Sequence, residues 1–136
     1  MGKISGPLLD RIDIQIEVPA VAFKELSATT PGMSSSEMRA AVVEARRVQA
    51  ERLGAGTMRY NGRMTNRQIR THCKLGNDAA VLLRGCMTEL GFSARAHDKI
   101  LRVARTIADL AGSRDIEAEH VGEAINYRLL DRELWK

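Results

Sequence analysis

Residues 92–112, FSARAHDKILRVARTIADLAG, decide the fold. Ala96, Ile100, Val103, Ala104 and Ile107 recur at the helical spacing of three and four, with Arg95, Lys99 and Arg102 on the opposite stripe. Ser93 stands at the N-cap position and Gly112 at the stop, which predicts one amphipathic helix from Ala94 to Ala111. A helix with an apolar face of this width needs other helices to cover it.

Those partners are legible on both sides. Upstream, Asn77 is read as the cap of a helix over about 78–90, with Ala80, Leu83, Met87 and Leu90 inward and Gly91-Phe92 ending it. Thr65 and Gln68 form a capping box that opens a short helix carrying Ile69, His72 and Cys73. A second box, Ser34 with Glu37, starts a long amphipathic helix to about Leu53, with Met38, Ala41, Val42, Ala45, Val48 and Gln49 at helical spacing on one face until Gly54 and Gly56 stop it. Between them, 57–64 reads as a basic loop with an Asn61-Gly62 turn. Downstream, Glu117 begins the last helix, with Val121, Ala124, Ile125 and Leu129 inward. The expectation is an all-α bundle of about five helices over 34–132, followed by a tail, 133–136.

The N-terminal stretch differs. After a short helical turn in 4–10, Ile12, Ile14, Ile16 and Val18 alternate with Asp13, Gln15 and Glu17, the period of a half-buried strand. No later segment alternates in this way, so the strand-like segment has no partner within these residues and is expected to be loose. Residues 1–33 are therefore read as the edge of another structural unit together with most of the linker SATTPGMSSS, 27–36.

With 136 residues, 44% apolar and only 4% aromatic, the composition suits one helical domain. The net charge of +4 is uneven: residues 61–105 hold 9 basic against 3 acidic residues, and residues 106–136 hold 4 against 7. No apolar run approaches a membrane span and no secretory leader is evident, so a soluble, cytoplasmic protein is expected, with no membrane partner. Cys73 and Cys86 read as reduced core residues, and His72, His97 and His120 have no paired-ligand spacing, so no metal site is assigned. There is no phosphate-binding loop, no magnesium-binding Asp-Glu motif and no dinucleotide fingerprint, so the chain alone is not expected to hydrolyse a nucleotide.

Three features bear on function. Arg95 lies in a helix's first turn, where a cation opposes the helix dipole and a bound phosphate would reverse the penalty. The plain alternative is a solvated basic face, with Asp98 paired to Arg102 and Arg105 to Asp109. Arg11 sits at a helix-to-strand junction between Asp10 and Asp13, where it reads equally as a surface arginine of a mixed-charge run or as a guanidinium that reaches a phosphate held elsewhere. Arg59, Arg63, Arg67, Arg70 and Lys74 form a basic approach to a helix-turn-helix-like pair over 65–90. Its second helix offers only Arg84 as a long donor, too little for base reading, and leaves nonspecific phosphate contact as the role of the basic segment.

The runs ISGPLLDRIDIQIEVP (4–19), MTNRQIRTHCKL (64–75), FSARAHDKILRVARTIADLAG (92–112) and IEAEHVGEAINYRLLDR (116–132) resemble the C-terminal part of the bacterial magnesium chelatase-like AAA+ ATPases, the YifB/ComM competence family. The resemblance implies that 1–33 is the terminal edge of an ATPase core and that 34–132 is the helical lid. It implies that Arg11, in Leu8-Leu9-Asp10-Arg11, is an arginine finger acting on a neighbouring subunit's nucleotide. Ser93 and Arg95 then occupy the sensor 2 position, touching nucleotide bound by their own subunit. It further implies ATP and Mg2+ as cofactors of the full-length protein, with none bound by this stretch alone, and a hexameric ring acting on DNA in branch migration. Asn66 departs from the proline common in relatives after the Thr cap, which removes a rigid helix start but no chemistry. The rival readings are a stand-alone nucleic-acid-binding module using 59–74 and a structural domain that docks an acidic partner.

Overall fold

The computed structural model describes residues 6–129 apart from 10, 28, 55, 57 and 58. The elements are α1 (Gly6–Leu9), α2 (Phe23–Leu26), α3 (Ser35–Leu53), a 3-10 turn (Asn61–Arg63), α4 (Asn66–His72), α5 (Asn77–Leu90), α6 (Ala94–Leu110) and α7 (Ala118–Asn126). Helices α3 to α7 make the all-α bundle, and no strand occurs among the described residues. The tail 133–136 and residues 130–132 at the end of the expected domain lie outside them.

The helix starts follow the sequence signals. Ser34 Oγ accepts from the amide of Glu37, whose carboxylate accepts from the Ser34 hydroxyl and amide, each at 2.7 Å; these two bonds to the carboxylate hold the Glu37 carboxyl below its ordinary range. Thr65 and Gln68 close the same box on α4. At α7 the box is formed by Glu117 and His120, whose buried ring accepts from the Glu117 amide at 3.0 Å. One start differs from expectation: the N-cap of α5 is Gly76, and Asn77 is the first helical residue, with no side-chain cap. Gly91 ends α5 in the left-handed region at φ 62°, a conformation that suits a residue without Cβ.

Helix α6 is the axis of the core. It packs against α7, α3, α4 and the 3-10 turn, while α5 packs against α7. Ile100, Ala104 and Ala108 of α6 are fully buried among Leu83, Ile116, Val121, Ala124 and Ile125. Ile100 alone contributes about 1.5–3 kcal/mol relative to exposure. Alanines at 96, 104 and 108 keep the helix surface flat, so neighbouring helices approach closely. Cys73 packs in this core, and both Cys73 and Cys86 are free thiols. A single parallel bridge between Leu75 and Ile116 ties the loop after α4 to the loop before α7.

Two expectations about apolar faces are corrected. In α3 only Ala45 and Gln49 are buried, whereas Met38 and Val42 are about half exposed, at 52% and 53%. This helix is roughly 28 Å long, and its N-terminal half runs past the helices that could cover it. Leu129, expected inward, is 38% exposed beyond the end of α7.

The alternating segment after α1 forms no strand and joins no ladder, and Ile14, Ile16 and Val18 face solvent. Alternation fixes which side chains share a face; it does not supply a neighbouring strand. The segment is nonetheless tied to the bundle. The Gln15 amide donates to Tyr127 O at 2.8 Å, and Arg128 Nη1 donates to Ile12 O at 2.8 Å.

Candidate functional site

The first turn of α6 is built on Ser93. Its Oγ accepts from the Ala96 amide at 3.1 Å and its carbonyl from the His97 amide at 3.1 Å, which fixes where the helix starts. Arg95 is exposed on the turn so defined. The remaining cations of the stripe are not a solvated face. Lys99 is largely covered and donates to Arg11 O at 2.6 Å and to the Asp13 carboxylate. Arg102 is half-buried, with Nη2 donating to Met64 O at 2.8 Å. Asp98 pairs with His97 at 3.2 Å, so the expected Asp98–Arg102 pair does not form. Periodicity places Asp98 and Arg102 one turn apart, but the carbonyl after the 3-10 turn captures the guanidinium.

Arg11 lies in the turn after α1, with its amide donating to Leu8 O at 3.0 Å and its side chain exposed. The Lys99 contact brings Arg11 and Arg95 to the same end of α6, one helical turn separating Arg95 from Lys99. Both guanidiniums offer planar, permanently charged donors suited to phosphate oxygens. Among the described residues no three His, Cys, Asp or Glu side chains converge to hold a metal ion.

All five members of the basic segment are exposed. Arg59 Nε donates to Gly56 O at 2.6 Å, and Arg63 Nε donates to the Tyr60 hydroxyl at 2.9 Å. Tyr60 in turn carries Arg46 over its ring at 4.8 Å. Arg67 and Arg70 lie on α4, and Arg70 borders a cavity with His97 and Asp98. Lys74 borders a different cavity, which Arg114 also lines.

Sequence reading missed a buried polar network. Asp109, whose side chain is fully buried, accepts from Arg52 Nη1 at 2.8 Å, from Arg52 Nη2, from Asn61 Nδ2 at 2.8 Å and from Arg105 Nε at 3.1 Å. The Asn61 amide donates to Gln49 Oε1 at 3.0 Å, and its Nδ2 also reaches Thr106 Oγ1 at 3.1 Å. Arg105 further donates to Ser113 O and Arg114 O, each at 2.8 Å. The Arg105–Asp109 pair expected on a solvated face therefore exists, but inside the protein. Burial lowers the Arg105 pKa, opposed by the Asp109 carboxylate. The network joins α3, the 3-10 turn, α6 and the loop before α7, and the one available sequence signal was the Arg105–Asp109 spacing.

No helix among the described residues is long and apolar enough to cross a membrane. The family model for the C-terminal part of magnesium chelatase subunit ChlI matches residues 32–128. The chain is 39% identical to competence protein ComM of Haemophilus influenzae, over all of this chain and 26% of that protein. It is 39% identical to YifB of Escherichia coli over 97% of this chain and 26% of that protein. It is also 33% identical to Mb2921c of Mycobacterium bovis over 94% of this chain and 25% of that protein. The chain thus spans about a quarter of the length of the curated relatives it matches. With a family match that covers the whole helical bundle, the chain belongs to the magnesium chelatase subunit ChlI C-terminal family, in its ComM/YifB-like group.

Proposed function

We propose that residues 34–132 are the helical lid of an AAA+ ATPase and that 1–33 are the edge of its core. In this reading Arg95, positioned by Ser93, contacts the γ-phosphate of ATP bound by its own subunit, and Arg11 reaches the γ-phosphate held by a neighbour in a ring. ATP and Mg2+ are bound by the full-length protein, with the metal held outside this chain. A hexameric, DNA-acting motor of the branch-migration type is the activity this assembly would serve. The observation that carries the reading is the contact from Lys99 to the Arg11 carbonyl, which couples the turn bearing Arg11 to the helix bearing Arg95.

Cationic donors at both ends of a transferring phosphoryl group stabilise charge that grows in the transition state. A lid that swings with nucleotide state moves Arg95 relative to the core, and the Lys99 contact transmits that movement to Arg11. The exposed Arg59, Arg63, Arg67, Arg70 and Lys74 are proposed to meet DNA phosphates in the assembled protein.

The test uses the full-length protein. Arg11→Ala subunits are mixed with subunits whose phosphate-binding loop is disabled. An arginine acting in trans restores turnover in the mixture, because an intact Arg11 from one subunit type completes the competent nucleotide site of the other. A mixture no more active than its components overturns the assignment of Arg11.

A further inference from the structure

A cavity of about 680 Å³ lies between the C-terminal half of α3, the end of α4 and the loop before α7, and the nucleotide reading makes no use of it. Its inner wall carries Arg52, Arg105 and Asp109. Two guanidiniums there share one carboxylate, so the wall keeps an excess positive charge. Three of the five N–H groups of Arg52 go to Asp109 and Asn61, and three of those of Arg105 go to Asp109 and the carbonyls of Ser113 and Arg114. The other N–H groups of both side chains have no hydrogen-bond partner among the described residues. Arg105 also pins the 113–114 backbone, so this side of the cavity is held in shape.

The mouth adds Lys74 and Arg114, both exposed. Arg47 contributes little, because it is paired with Glu44 and Glu51. Of the carboxylates lining the cavity, Glu44 is paired with Arg47 and Asp109 with Arg52 and Arg105, which leaves Asp115 to oppose an anion. The balance is nonetheless positive, with five basic against three acidic residues in the lining. His72, on the α4 side, is held below its ordinary pKa first by burial and then by the charges of Arg52 and Arg105. Arg95 and Arg105 are ten residues apart on α6, about 15 Å along the axis, so this cavity is separate from the nucleotide-contacting end.

We propose that the cavity is an anion site for a compact phosphate-type group, with Arg52 and Arg105 as donors on the inner wall and Lys74 and Arg114 closing on the ligand from the mouth. Free polyphosphate and the backbone phosphates of a single nucleic-acid strand supply the same chemistry.

Pyrophosphate is titrated into the protein at low salt while the Thr71, His72, Lys74 and Arg114 resonances and the His72 titration curve are followed by NMR. Saturable shifts at these residues are expected, with the His72 pKa moving up toward its ordinary value as the anion offsets the guanidinium charge. Lys74→Ala and Arg114→Ala each weaken binding roughly tenfold, the loss of about one charge-assisted contact, whereas Arg39→Ala, exposed near the start of α3 and away from the cavity lining, leaves it unchanged. These two rim variants avoid Arg52 and Arg105, whose replacement would disturb the buried network. A parallel titration with a single-stranded oligonucleotide lacking terminal phosphates separates the sources. Shifts at the same residues with both ligands support the site and assign it to backbone phosphate as well; shifts with pyrophosphate alone support it as a site for free or terminal phosphate. No saturable shift with either ligand, or shifts that survive both rim substitutions, overturns the proposal.

Discussion

Lys99 Nζ donates to the carbonyl oxygen of Arg11 at 2.6 Å, joining residues 88 positions apart in the chain. Lys99 also meets the Asp13 carboxylate, so one largely covered ammonium holds both sides of the turn that presents Arg11. The hydrogen bonds from Arg128 to Ile12 O and from the Gln15 amide to Tyr127 O continue the attachment along the segment. Chain outside any helix or strand, with its apolar side chains in solvent, is held here by polar contacts rather than by burial.

Lys99→Met keeps most of the stem and removes the charge. Amide hydrogen exchange at Gln15 is expected to accelerate roughly tenfold, because a hydrogen bond from a charged donor contributes about 1.5–3 kcal/mol when well formed, less where Asp13 is solvated. The amides at the centre of α6 keep their protection. Unchanged exchange at Gln15 would show that Arg128 and Tyr127 hold the segment without Lys99.

Asp109→Ala leaves Arg52, Arg105 and Asn61 without their shared acceptor inside the protein. Removing one member of a buried charged network costs about 3–5 kcal/mol, and about 4–8 °C of Tm accompanies each kcal/mol in a domain of this size. Thermal unfolding followed by far-UV circular dichroism is expected to show a Tm lower by at least about 10 °C. Asp109→Asn, which keeps shape and acceptor oxygen, falls between the variant and the parent. A Tm for Asp109→Ala equal to the parent's contradicts a structural role for the network.

Ser93→Ala removes the acceptor for the Ala96 amide and is expected to destabilise the protein by about 1 kcal/mol, while Ser93→Gly costs only a few tenths. Urea unfolding of the two variants measures the difference. Equal stability of Ser93→Ala and the parent would mean that the hydroxyl does not cap α6.

The lowered His72 pKa gives a pH dependence with a definite sign. Unfolded His72 binds its proton near the ordinary value, about 6.5, whereas the folded ring binds it at lower pH. Between these two values the unfolded state carries more protons, so stability falls as pH drops through about 6.5 and the penalty is complete below the folded pKa. Above the unfolded value the ring is neutral in both states and contributes nothing. His72→Gln is expected to lose less stability than the parent between pH 7.5 and pH 5.5 in urea unfolding. Identical losses in the two proteins contradict the assignment.

Much of the bundle was legible because its signals are local. Ser34 with Glu37, Thr65 with Gln68, and Ser93 before an amphipathic run each mark a helix start within four residues, and the structure has α3, α4 and α6 beginning there. The errors arose where distant chain decides. Met38 and Val42 have the spacing of a core face, but whether a face is covered depends on where α3 crosses α6. Asp98 was as well spaced for Arg102 as Asp109 for Arg105, yet Met64 O takes the first arginine and the second pair is buried. The Asn61 and Arg52 contacts to Asp109 span 48 and 57 residues, beyond any periodicity argument. For the candidate site, the exposure of Arg95 and Arg11 followed from their places in a first turn and a junction. The Lys99 link between them had no signal in the spacing, because it ends on a backbone carbonyl that every residue possesses.

The most direct measurement of the central claim is ATP turnover by full-length protein carrying Arg95→Ala, at saturating ATP and with folding verified by circular dichroism. The lid reading predicts a fall of about a hundredfold or more, as for loss of a donor aimed at transition-state charge. Turnover within about twofold of the parent enzyme, too small a change for loss of such a donor, would contradict it.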